Sequence, residues 1–89
     1  MSIEFGSIVR SVSGRDKGQI LAVIGMVDDK LILSDGRKRR IEKPKSKKAK
    51  HVEDLSTSLP LEVTEALKRG ELTNRMLYRE IKNKFETFD

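Results

Sequence analysis

Between residues 6 and 42 the longest apolar run is five residues, Ile20-Leu21-Ala22-Val23-Ile24, and turn-forming residues interrupt the segment every few positions. An amphipathic helix needs ten or more residues of 3.6-fold periodicity, so runs this short read as strands. Ser7 to Val12 supplies one strand, with Ile8, Val9 and Val12. Gly14-Arg15-Asp16-Lys17-Gly18 forms a polar loop, and the five-residue apolar run then reads as a strand covered on both faces. Gly25 is placed to bend or bulge that strand. Asp28-Asp29 separates it from Lys30 to Leu33, and Asp35-Gly36, a strong hairpin signal, separates that strand from Arg37 to Glu42. Four short strands on tight turns predict a small, strongly bent β-sheet or barrel.

Charge is the second constraint. The chain of 89 residues carries a net charge of +5, but Arg37 to Lys50 alone holds nine basic residues and one acid. Residues 1–36 are net −1 and residues 51–89 net −2. A positive field concentrated in so short a stretch points to a polyanionic partner. Within the stretch, Arg37-Lys38-Arg39-Arg40-Ile41 reads as an edge strand, since alternation leaves neither face apolar before Ile41. Lys43 to Lys50, with Pro44 disfavouring helix at Lys43 and like charges in series, reads as an extended or mobile basic arm.

The C-terminal third reads as helical. Pro60 suits a first helical position, and Val63, Ala66 and Leu67 share a face that Gly70 ends. Thr73 is an N-cap candidate for a second helix, along which Leu77, Ile81, Phe85 and Phe88 form an apolar stripe. That stripe packs on the β domain or docks a partner helix. The organisation expected is a β domain over residues 1–53, including the arm at 43–50, and a helical extension over 54–89.

Catalytic chemistry finds no support. There is no cysteine, and the single histidine, His51, has neither a cysteine nor a second histidine to share a metal with, so no cofactor or metal is expected. Asp28 and Asp29 are explained by a turn. The Gly14–Gly18 loop lacks the spacing and the Gly-Lys-Ser/Thr of a P-loop. The first residues lack a basic segment and apolar run, and the longest apolar run is too short to cross a bilayer, so a cytoplasmic protein without a membrane partner is expected. No aromatic lies between Phe5 and Tyr78, so the basic region offers no stacking platform for single-stranded bases. Its chemistry suits phosphate contacts with folded RNA.

Gly6 to Gly18, followed by the apolar run to Ile24 and the strand to Leu33, resembles a KOW motif, with Gly18 matching the motif's glycine and Gly14 opening the same loop. Together with Leu33-Ser34-Asp35-Gly36-Arg37, Glu42-Lys43-Pro44-Lys45 and the basic run that follows, residues 4–53 resemble small bacterial KOW-domain proteins. These are similar to the L14e-type large-subunit ribosomal proteins. The resemblance implies a mainly β fold, a small SH3-like barrel followed by one or two short helices. It also implies a non-enzymatic, ribosome-associated or structured-RNA-binding role. The expected RNA contacts are Arg15 and Lys17 on the loop, Arg37, Lys38, Arg39 and Arg40 on the ridge, and Lys43, Lys45, Lys47, Lys48 and Lys50 on the arm. The alternative is an interaction module that docks a transcription or translation partner, a ribosomal protein included, through the barrel or the C-terminal helices.

Overall fold

The computed structural model describes residues 3–85. Five antiparallel strands, β1 (Ser7–Ser11), β2 (Ile20–Val27), β3 (Lys30–Ser34), β4 (Lys45–Lys48) and β5 (Val52–Ser58), pair in the order β4-β3-β2-β1-β5. Helices α1 (Leu61–Lys68) and α2 (Asn74–Lys84) follow. The mainly β fold with C-terminal helices is therefore as expected. The sheet is open, however: among the described residues no ladder joins β4 to β5, and a turn of 3-10 helix at Ala49–His51 links them instead.

The local signals behave as the sequence implies. Asp28, at φ 58°, turns β2 into β3 with Val27 opposite Lys30. The register slips between Val23 and Gly25, which is the bulge expected at that glycine. The apolar run of β2 is covered on both faces because the sheet separates two clusters. Val9, Leu21, Val23, Leu31 and Leu33 form one. Ile8 and Ala22 join Leu59, Val63, Leu77 and Ile81 from the C-terminal region in the other.

Three expectations are corrected. Arg37 to Glu42 is not a strand; it lies in a tight loop, and the edge strand is β4, within the arm that reads in sequence as extended or mobile and whose extended half is paired. Lys45 to Lys48 pairs along the outer edge of β3, with Lys48 opposite Lys30 and Lys45 opposite Leu33. Backbone donors and acceptors on β3 need a partner whatever side chains that partner carries, so a segment with no apolar residue completes the sheet. Finally, a division at residue 53 cuts β5, which pairs with β1 from Ser7 to Ser11. The helices share a core cluster with β1 and β2, so they pack as part of one unit.

Leu77 and Ile81 are fully buried there, so these two positions of the stripe belong to the core. Phe85 packs partly buried against the same cluster, and Phe88 lies outside the described residues. Thr73 caps α2 by accepting a hydrogen bond from Met76 N at 3.1 Å. Pro60 sits one position outside α1 rather than in its first turn. No helix among the described residues is long and apolar enough to cross a membrane.

Candidate nucleic-acid interface

Two loops carry the expected basic residues, and different chemistry shapes each. The β1–β2 loop is closed by backbone hydrogen bonds between Ser11 and its far side, Ser11 N to Gln19 O and Gly18 N to Ser11 O. Gly14 and Gly18 supply the positive φ values, 82° and 93°, that this reversal needs. Asp16 turns inward from the loop. Its Oδ1 lies 3.1 Å from Lys47 Nζ and 2.9 Å from Ser11 Oγ, and Lys47 Nζ also donates to Ser13 O at 2.8 Å. The Asp16 and Lys47 side chains are only 9% and 8% exposed. Burial pushes the Asp16 carboxyl up, but the hydrogen bonds from Lys47 and Ser11 and the lysine's charge outweigh it, and the carboxyl sits below its usual value. Its second oxygen, Oδ2, is buried without a partner. With Asp16 as the pin, Arg15 and Lys17 on either side point to solvent.

This corrects the expected role of Lys47. The side chain lies on the inner face of β4, opposite the buried Leu31, and its ammonium is consumed within the fold. It holds the loop that displays Arg15 and Lys17 and is not part of the exposed surface.

The β3–β4 loop is shaped by its own small polar side chains. Asp35 Oδ1 accepts from Arg37 N at 2.8 Å and Arg39 N at 2.9 Å. Ser34 Oγ donates to Arg39 O at 2.6 Å. The backbone amides of Asp35 and Gly36 donate to that same carbonyl. These bonds explain why Arg37 to Arg40 does not become a strand: its donors are already engaged locally. Of the Asp35-Gly36 pair, Gly36 takes positive φ, 78°, and Asp35 does not, so the turn is not the type I′ hairpin that the dipeptide signals. Asp35 and Ser34 are buried, while Arg37, Lys38 and Arg40 are exposed and Arg39 is half-buried. Lys38, Arg39, Arg40, Glu42 and Lys43 line a cleft of about 320 Å³, four cations to one carboxylate.

This loop is also docked on α2. A Cβ at Gly36 would collide with the Asn74 carbonyl oxygen and come within 2.9 Å of Tyr78 N. Ile41 N donates to Asn74 Oδ1 at 2.8 Å, and Asn74 Nδ2 donates to Glu42 Oε1 at 2.7 Å. The amide of Asn74 is the chief cause of the lowered Glu42 pKa, with Arg40, 3.7 Å away, adding to it. Arg37 Nη1 donates to Tyr78 Oη at 2.9 Å, and its guanidinium lies 5.3 Å from the centre of the Tyr78 ring. The fold thus brings an aromatic side chain to the basic loop, which sequence separation concealed.

The remaining expected residues are spread over other elements. Lys43 is exposed, and Lys45 is half-buried beside Leu33. Lys48 is exposed and lies 3.7 Å from Asp29. Lys50 is exposed on the 3-10 turn, with His51 half-buried next to it. Asn74 and Tyr78 are the contributors that the sequence reading lacked. Their signal was the run of bases around them on α2, masked by the net acidity of residues 51–89. No family model matches this chain, and no curated protein matches it.

Proposed function

We propose that this protein is a non-enzymatic RNA-binding protein of the cytoplasm that grips the phosphate backbone of a structured RNA, with ribosomal RNA the leading candidate. The observation that carries the reading is the β3–β4 loop. Its backbone polar groups are tied up by Asp35 and Ser34, so its shape is fixed before any partner arrives. Its cations Arg37, Lys38, Arg40 and Lys43 are left in solvent, with Glu42 the one acid among them. A backbone already fixed beneath these cations spares the cost of ordering the loop on binding, and each neutralised phosphate releases counterions. Lys48, Lys50, Arg15 and Lys17 extend the positive surface on neighbouring segments.

The resemblance of residues 4–53 to KOW-domain proteins points the same way. The loop's exposed cations suit contacts to phosphate, so the reading rests on shape and phosphate geometry. The test is co-sedimentation with ribosomes and with protein-free ribosomal RNA across a salt series. Binding by the wild type that weakens with salt and is lost in the Arg37→Ser, Lys38→Ser, Arg39→Ser, Arg40→Ser variant supports the reading. Absence of wild-type binding at low salt overturns it.

A further inference from the structure

We infer that helix α2 is a second wall of the same surface: Arg75, Arg79 and Lys82 contact the phosphodiester backbone of the RNA that the β3–β4 loop grips. This rests on the function proposed above and extends it to a part of the chain outside the KOW resemblance.

Helical geometry gives the first argument. Leu77 and Ile81 face the core and Phe85 packs against it, which fixes the rotation of α2. Arg75, Arg79 and Lys82 follow at i, i+4 and i+7, so they form one stripe, and Tyr78 lies between that stripe and the core face. Tyr78 and Asn74 are the residues that receive the β3–β4 loop. The basic stripe of α2 therefore borders the basic loop.

The second argument is that cations from the two elements meet on one ring. The Arg37 guanidinium is 5.3 Å and the Lys82 ammonium 6.0 Å from the centre of Tyr78. Arg75 and Arg79 are exposed and pair with no carboxylate among the described residues. The neighbouring Arg69, by contrast, has Glu71 at 3.0 Å and Glu65 at 3.9 Å.

The third argument is the distribution of charge within the C-terminal region. Residues 61–68 of α1 hold two acids and one base, whereas residues 74–84 of α2 hold four bases and one acid. Net acidity over residues 51–89 hides this split, and the positive helix is the one against the loop. The shared chemistry is that of a phosphodiester chain long enough to touch both a loop and a helix, so a folded or double-stranded RNA fits better than a mononucleotide.

The experiment measures the affinity of the full chain for a labelled RNA hairpin, and for poly(U), over a salt series. Four proteins are compared. They are the wild type, the helix variant Arg75→Gln/Arg79→Gln/Lys82→Gln, the loop variant Lys38→Ser/Arg40→Ser/Lys43→Ser, and a control with equal charge loss elsewhere, Arg10→Gln/Lys68→Gln/Arg69→Gln. Circular dichroism checks that each is folded, and glutamine keeps good helix propensity. The inference expects the helix variant to bind the hairpin roughly tenfold or more weakly than the control, with its salt slope lowered by about one per removed cation. A helix variant that binds like the control while the loop variant fails overturns the role of α2 and leaves the RNA reading standing. A wild type that binds neither RNA at low salt overturns both.

Discussion

The two basic loops reach the same outcome, cations held in solvent, by opposite means. The β1–β2 loop is pinned from below by charge: Asp16 is drawn inward onto Lys47, and both are nearly excluded from water. The β3–β4 loop is held from within by hydrogen bonds to Asp35 and Ser34, and from the side by the fit of Gly36 against α2. A buried ion pair is strong only while both partners are present, since removing one leaves an uncompensated charge. A capped loop with a glycine contact depends on shape as well, and it fails also when volume is added at the contact. The difference shows that a count of lysines and arginines does not separate display from support. Lys47 sits in the same run as Lys45 and Lys48 but serves the other loop.

The contrast can be broken from either side. The largest effect is expected for Lys47→Ala, which leaves the Asp16 carboxylate, whose Oδ2 already lacks a partner, buried without its counter-charge. Chemical denaturation should show a loss of about 3–5 kcal/mol, and a loss below 1 kcal/mol would contradict the pin. Pairing Lys47→Met with Asp16→Ala should recover part of that loss, because no buried charge then remains. Next is Gly36→Ala, where positive φ and the collision with Asn74 act together, for a cost on the order of 2–4 kcal/mol. The loop should also leave α2, so exchange protection at Ile41 N should fall while that at Gly18 N holds.

Acid sharpens the comparison further. The folded-state pKa of Asp16 is lowered, so its contribution is present above the unfolded value and is lost as pH falls through the folded one. Acid titration from neutral pH should therefore destabilise the wild type progressively below about pH 4. Lys47→Met, which lacks the pair, should respond less at the same positions. The smallest effect is expected for Glu53→Gln. Its ion pair with Arg10 is 2.9 Å long, but both side chains are roughly half exposed. Such a pair is worth less than about 1 kcal/mol, and a larger loss would mean that surface charge shapes this fold more than the two loops imply.

What was legible in the sequence follows from how local each cause is. The turn at Asp28-Asp29, the bulge at Gly25 and the cap at Thr73 are decided by residues within a few positions of one another, and each is found where the sequence puts it. β4 was not legible because Lys45-Ser46-Lys47-Lys48 has no apolar residue; its strand character comes from the open edge of β3. β5 was obscured because its alternation breaks at Leu55-Ser56, where Ser56 takes φ 58° and the register with β1 shifts. In the candidate site, the exposed cations of the β3–β4 loop were legible from composition. The Asp16–Lys47 pair and the docking of Gly36 on Asn74 and Tyr78 were not, since each joins residues that only the fold brings together.

The central claim is that a prearranged basic loop binds RNA through phosphate contacts. Its most direct test is the slope of log affinity against log salt for a structured RNA, compared between the wild type and the Lys38→Ser/Arg40→Ser/Lys43→Ser variant. That variant spares Arg37, Arg39 and the bonds that shape the loop. The account predicts a steep wild-type slope, roughly 0.7–0.9 per neutralised phosphate, lowered by about two to three units in the variant. A wild-type slope near zero, or a variant whose slope and affinity match the wild type, would contradict it.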